Sequence, residues 1–264
     1  MHLMVYAPYG RAGIYMLQEF CRRIGIRATE GEICDLISAL SVLPPEHPLE
    51  SLLRQAPDFR HESALADALL HPQDRAYSVP QLFDFIEKGR LTFGRWVRQA
   101  PYTLHWGVIA KIPQAILMAK LSLAEQYAAI ELFRGTMVRH SVVAYHRDSA
   151  NGSQQVSFAG DAWLDYVPIR MSDTLCVQER LPPGAAAVLI NQTHTDRDLF
   201  LPIGSMEKQL FDAIDGDHSI EDIVERTLLS SHRPTSVDVA RTFFEQLWWH
   251  DQVVFDAHSN HGPV

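Results

Sequence analysis

Leu3-Met4-Val5-Tyr6-Ala7-Pro8-Tyr9-Gly10-Arg11-Ala12-Gly13-Ile14-Tyr15-Met16-Leu17-Gln18 opens the chain with an apolar run, a break and a helical spacing. From His2 to Ala7 the residues are those of a short buried strand, which needs sheet neighbours on both sides. Pro8, Gly10 and Gly13 interrupt it. Ile14, Leu17, Gln18 and Cys21 then keep helical spacing as far as Arg22-Arg23-Ile24-Gly25, where basic residues in a last turn and a following glycine mark a helix stop. The opening therefore predicts strand, loop and helix, with part of the strand's edge uncovered if its neighbours come from elsewhere.

Outward from there, residues 29–70 predict a helical cover broken at Pro44, Pro45, Pro48 and Pro57, with Ile33, Leu36, Ile37 and Leu40 on one face. Ser78 is placed to cap a helix from Pro80 to Glu87 that ends at Gly89. Leu91 to Val97 alternates as a strand, and Pro113 to Phe133 is rich in strong helix formers. Thr136 to His146 is a β-prone run, and the polar stretch Asp148 to Ser153 reads as a domain boundary, giving parts at 1–148 and 154–264. Beyond it, strands are expected at Trp163 to Ile169, Thr174 to Gln178 and Ala187 to Asn191, then a helix at Ser205 to Ile214. A second helix opens on the Ser219/Asp222 capping-box spacing. A third covers Val237 to Trp249, and a closing strand covers Gln252 to Asp256. Three helices followed by a strand suggest a small winged-helix-like module.

Composition narrows the function classes. The 264 residues are 47% hydrophobic and 21% charged, which is ordinary globular usage, so a buried core is expected. The net charge of -9 is spread along the chain, which argues against a nucleic-acid partner. Cys21, Cys34 and Cys176 lie far apart and fit neither a disulfide framework nor a metal pair, as in a reducing cytoplasm. Apolar runs such as Ala185 to Ile190 are far shorter than the roughly 20 residues of a membrane helix. Thirteen histidines include no helical i, i+4 pair among His194, His218, His250, His258 and His261, so no metal site is expected. Ile203-Gly204-Ser205-Met206-Glu207 lacks the second glycine of a hydrolase elbow.

Three stretches together resemble the carboxy-terminal half of bacterial class I S-adenosylmethionine-dependent methyltransferases. They are residues 3–18, residues 70–102 with HPQDRAYSVPQLFDF and FGRWVRQAPY, and Glu131-Leu132-Phe133-Arg134-Gly135-Thr136-Met137-Val138-Arg139-His140. The resemblance implies that the first stretch is the strand following the cofactor-binding half, the third the returning antiparallel strands, and the middle an insertion shaping the substrate side. The implied fold class is α/β: an incomplete Rossmann-like methyltransferase sheet with a helical insertion, plus a small C-terminal α+β winged-helix-like domain. The departure matters as much. The glycine-rich turn and the following acidic residue that seat the cofactor in such enzymes are missing from this sequence. The chain thus carries no complete catalytic or cofactor-binding constellation, and it reads as the distal portion, a fragment in effect, of a larger enzyme. S-adenosylmethionine is the implied cofactor of the complete enzyme, with an N-terminal half or a partner chain supplying its site. Separately, Leu201 to Phe255 is similar to winged-helix modules that bind pyrroloquinoline-quinone precursor peptides, through Glu207 to Gly216 and Phe243 to Leu247.

Candidate substrate-binding residues follow from position and chemistry. Tyr6, Tyr9 and Arg11 sit at the end of the first strand, where ligands of open α/β sheets gather, although a packed tyrosine and a solvated arginine would look the same. His71, Asp74 and Arg75 offer a base, a carboxylate to orient it and a cation, or only a capped loop. Trp96, Arg98 and Tyr102 would project from a strand into a pocket wall, or serve as core. The expected substrate is a small molecule or a peptide. Two functions remain: the substrate side of a methyltransferase, or a non-catalytic peptide- or protein-binding module.

Overall fold

The computed structural model describes residues 1–50, 61–147, 156–227 and 233–257. The expected boundary stretch at Asp148 to Ser153, together with Pro57, His258 and His261, lies outside them. The chain divides into two compact units, Met1–Trp96 with Lys120–Ala144, and Val97–Ala119 with Tyr145–Val264. Residues 97–119, which the sequence reading kept with the amino-terminal part, therefore group with the second unit.

The first unit is built on three strands, β1 (His2–Tyr6), β2 (Leu91–Trp96) and β3 (Arg139–His146), in the order β1-β3-β2. β1 runs antiparallel to β3, with His2 opposite Val143 and Tyr6 opposite Arg139. The expectation of a buried interior strand is corrected here. β1 lies at the sheet edge with Met4 44% and Tyr6 36% exposed, because Leu3 and Val5 alone turn partly inward. Only its end meets a second neighbour, where the Tyr77 N–H donates to the Tyr6 carbonyl at 2.8 Å beside a parallel bridge to Ala76.

Helix α1 (Ala12–Ile24) follows, ending as expected on Gly25, whose φ of 73° lets its N–H reach the Cys21 carbonyl. Its Ile14, Leu17 and Cys21 form a core with Leu36 and Leu40 of α2 (Glu30–Leu40) and with Leu65, Ala68 and Leu69 of α3 (Glu62–Leu70). Helix α4 (Val79–Lys88) opens where Gln81 Oε1 accepts the Ser78 N–H, half of a reciprocal cap. The single helix expected over residues 113–133 is two, α5 (Ala115–Met118) and α6 (Leu123–Arg134), which fall in different units. Ser122 restarts the second by pairing with Glu125 in a capping box, a local signal that outweighs the run of helix formers. Between α4, α6, β2 and β3, the rings of Phe83, Phe93, Trp96 and Tyr127 pack edge to face and stacked. Buried beside them, Glu131 accepts the Val79 N–H at 2.8 Å and pairs with His140 at 2.9 Å.

The second unit has two small antiparallel sheets. β4 (Val167–Arg170) pairs with β8 (Val253–Asp256), and β5 (Thr174–Val177), β6 (Ala187–Asn191) and β7 (Leu201–Ile203) pair in that order. The strand expected from Trp163 begins only at Val167, after a tight turn over Ala162–Asp165, and β7 was not anticipated. Helices α7 (Ser205–Asp212), α8 (Ile220–Thr227) and α9 (Arg233–Trp249) surround one core containing Trp163, Leu189, Leu210, Ile223, Phe243, Phe244 and Leu247. The Ser219/Asp222 cap forms as the spacing predicts, with the Asp222 N–H donating to Ser219 Oγ at 3.2 Å. Among the described residues, no helix is long and apolar enough to cross a membrane.

Candidate functional site

At the carboxyl end of β1 the first unit has an open cavity of about 560 Å³. The strand contributes Met4 to Tyr6, α3 contributes Asp67 and Ala68, and the loop after α3 contributes His71 and Gln73 to Tyr77. Arg11 enters from the β1–α1 turn. This side chain is 4% exposed, and a buried guanidinium needs a counter-charge, which Asp74 supplies through Nη2 to Oδ2 at 3.2 Å. Gln18, two helical turns after Arg11, fixes the carboxylate with its amide at 2.9 Å and anchors to the Ala68 carbonyl at 2.7 Å. The Arg11 guanidinium carbon stands 3.7 Å from the centre of the Tyr6 ring, so the aromatic face covers the cation. Burial pushes the neighbouring Tyr15 phenol above its ordinary range, with Arg11 opposing. Arg11 Nε is buried away from the cavity's open space, and the Arg11 side chain is hydrogen-bonded to the Tyr15 phenol. Arg75, which lines the same cavity, lies over the Tyr77 ring at 4.9 Å.

Of the expected residues, Tyr6, Arg11, His71 and Arg75 come together here. Tyr9 does not line the cavity and is exposed. The proposed acid–base pairing of His71 with Asp74 is corrected: Asp74 is engaged by Arg11 and Gln18, while His71 Nδ1 accepts the Gln73 N–H at 3.1 Å. Trp96 is not a pocket wall. It is 1% exposed inside the aromatic cluster, because β2 turns that face onto α4 and α6. Arg98 and Tyr102 belong to the second unit, where Tyr102 is buried in a short turn over Ala100–Tyr102. The reading missed Asp67, Tyr77 and Gln18. Gln18 had a signal, since seven residues from Arg11 places it on the same helical face.

The β1–α1 turn is the strand–turn–helix nearest this cavity, and its glycines test whether a methyl donor fits there. A Cβ at Gly10 would stand 2.3 Å from the Met137 carbonyl oxygen, and one at Gly13 would stand 2.3 Å from the Leu49 nitrogen. The chain's own backbone takes up both close approaches. These glycines therefore serve packing rather than a ligand, and the turn does not fit the nucleoside-bearing donor.

The second unit holds a different polar cluster. Asp251, just past α9 in a left-handed conformation with φ of 55°, accepts the N–H groups of Gln99 at 2.9 Å and Ala100 at 3.0 Å. His194 Nε2 lies 3.1 Å from the same carboxylate, and Asn191 Nδ2 donates to the Asp251 carbonyl. His250, fully buried against Trp106 at 4.4 Å between ring centres, has its pKa pushed down to about 3, mainly by burial and further by His194. Among the described residues, no group of His, Cys, Asp and Glu side chains is arranged to hold a metal ion.

No protein-family model matches the chain. By structure the chain is similar to PKMT2 from Rickettsia typhi, with a TM-score of 0.59 at 10% sequence identity, covering 96% of this chain and 51% of that one. The structure of PKMT2 from Rickettsia typhi in complex with AdoHcy matches over the same shares, with a TM-score of 0.59 at 9% identity. The chain thus spans about half the length of the solved structures it matches, and what it shares with them is an α/β fold.

Proposed function

We propose that this chain is the substrate-side portion of an S-adenosylmethionine-dependent methyltransferase, with the cavity at the end of β1 as its acceptor site and the donor held by residues outside this chain. The observation that carries the reading is the coincidence of two facts. The likeness to PKMT2, a protein-lysine methyltransferase solved with AdoHcy, extends over 96% of this chain, and the cavity lies at the carboxyl end of a sheet strand, where α/β folds bind ligands. The donor's place elsewhere is supported by the β1–α1 turn, whose close-approach positions are filled by Met137 and Leu49.

The open edge of β1 supports it further. Leu3, Val5 and Ala7 direct their backbone groups to β3, so those of Met4 face the other way. A strand added there would run beside Met4 in the direction already set by Ala76 and bring a donor-binding half to the mouth of the cavity. Methyl transfer gains most of its rate from positioning, and this chain's residues would supply the acceptor's share. Arg11, held by Asp74 and Gln18, and the Tyr6 ring would fix the acceptor, and the cavity wall would keep water from it.

Calorimetry on two samples tests the proposal. The isolated chain is expected to show no saturable heat with micromolar S-adenosylmethionine, where binding would release about 8 kcal/mol of free energy. The assembly recovered under native conditions from its own cells through a tag on this chain is expected to bind it. Saturable binding by the isolated chain, or none by the assembly, would overturn the reading.

A further inference from the structure

We infer that residues 97–119 are a strap docked on the second unit around His250, and that protonation of this buried imidazole releases them, so that acid lifts the strap before the unit unfolds. The strap leaves the first unit at Trp96, returns to it at Lys120, and between these points belongs to the second unit. Its attachments gather at the turn after α9. Asp251 accepts the N–H groups of Gln99 and Ala100, Gln99 Nε2 donates to the Trp248 carbonyl at 3.1 Å, and the Trp106 ring lies against His250. Farther along, the Val108 N–H donates to Asp198 Oδ2 at 2.8 Å. The core cluster around Phe243 and Phe244 takes no side chain from the strap among the described residues, so the strap can lift while that core stays formed.

A proton on His250 conflicts with this arrangement. The side chain is fully buried, and among the described residues neither ring nitrogen has a hydrogen-bond partner. A neutral ring leaves one donor and one acceptor unpaired; an imidazolium would leave two donors and a charge. The groups around it offer little relief. From the loop after β6, His194 stands close enough to disfavour a positive charge on the ring. On the same turn, Asp251 directs its oxygens to Gln99, Ala100 and His194. The strap brings Trp106 and, packed against that ring, the exposed His105. Burial, with His194, holds the docked imidazole neutral at a pKa of about 3, whereas lifting the strap would return it toward the ordinary value near 6.5. The neutral ring therefore favours the docked strap and the protonated ring the lifted one. Docking is complete above about pH 6.5 and weakens as pH falls toward 3.

Amide hydrogen exchange of the chain tests this, read as protection so that the pH dependence of the exchange chemistry itself cancels. The Gln99 and Ala100 amides are compared with that of Leu189, on the central strand β6 of the three-stranded sheet. Between about pH 7.5 and about pH 5 the strap amides are expected to lose about 30-fold in protection, the factor by which protonating one such imidazole favours the open form. They should also stay less protected than Leu189 and be insensitive to about 1 M urea, which acts on amides that exchange through global unfolding. His250→Leu should remove the fall with pH, while His105→Ala, exposed beside Trp106, should retain it. Protection at Gln99 and Ala100 that is unchanged by pH, that falls equally in His250→Leu, or that matches Leu189 in size and urea dependence would overturn the inference. Because His250→Leu could disturb folding, the His250 ring nitrogens are also followed by NMR in the wild type. A neutral ring at about pH 5 is expected; a ring protonated there while both amides stay protected would overturn the inference as well.

Discussion

Two carboxylates held among hydrogen-bond donors, Asp74 in the first unit and Asp251 in the second, are used differently. In the second unit Asp251 is closed off: two backbone N–H groups and His194 Nε2 converge on its oxygens, and Asn191 takes its carbonyl. In the first unit Asp74 meets, among the described residues, Arg11 and Gln18, beside a cavity that Arg11 lines. A carboxylate saturated by backbone donors is a latch, since removing it strands donors that water cannot reach. One that holds a cation lining an open cavity orients a binding group.

The comparison can be broken by mutation. One of the two largest stability losses should come from Asp251→Ala, which strands the Gln99 and Ala100 N–H groups. We expect a loss of about 3 kcal/mol in urea unfolding, with hydrogen exchange of those two amides accelerated. Trp96→Ala should cost a similar amount, about 3–5 kcal/mol, by leaving a cavity among Phe83, Phe93 and Tyr127. Trp96→Phe should leave ligand binding at the β1 cavity unchanged; a large change in affinity would return Trp96 to the site.

Acid should weaken the second unit through His250. Its folded pKa of about 3 lies below the value of an unfolded histidine near 6.5, so between these values the unfolded chain binds a proton that the folded one does not. The stability from keeping it neutral is present above about pH 6.5 and is lost as pH falls toward 3, by at most about 1.4 kcal/mol per pH unit. His250→Leu should flatten that slope in denaturant titrations at pH 4 to 7, and an unchanged slope would assign the acid sensitivity to other groups. The smallest effect concerns the open edge of β1. The wild type should self-associate as concentration rises in sedimentation, and Met4→Lys should reduce this by placing a charge on the exposed edge. A monomer across a hundredfold concentration range would mean that the edge is protected by its shape.

Local signals in the sequence carried much of the element order in both units. Gly25 stops α1, Ser78 opens α4, and the Ser219/Asp222 pair opens α8 where expected, because caps and turns depend on neighbours a few residues away. What was illegible depends on distant contacts. Trp96 alternates in its strand as a wall residue would, and only the arrival of Tyr127, thirty-one positions later, makes it core. The His71–Asp74 pairing failed for the same reason: nothing near Asp74 in sequence announces that Arg11 and Gln18 claim it from more than fifty residues away. Tyr6, Arg11 and Arg75 were legible because strand ends and polar loops gather ligands whatever the tertiary detail. The α/β class that the family resemblance implied agrees with the likeness to PKMT2.

The central claim, that the β1 cavity holds the acceptor of a methyl transfer, is tested most directly by radiolabelled transfer from S-adenosylmethionine in the assembly recovered through this chain. Wild type is compared there with Arg75→Ala and with Asp251→Ala. The account predicts labelled product with the wild type, a rate about tenfold lower at subsaturating acceptor for Arg75→Ala, and little change for Asp251→Ala where the protein remains folded. No labelled product from an assembly that binds the donor, or equal rates for wild type and Arg75→Ala, would contradict it.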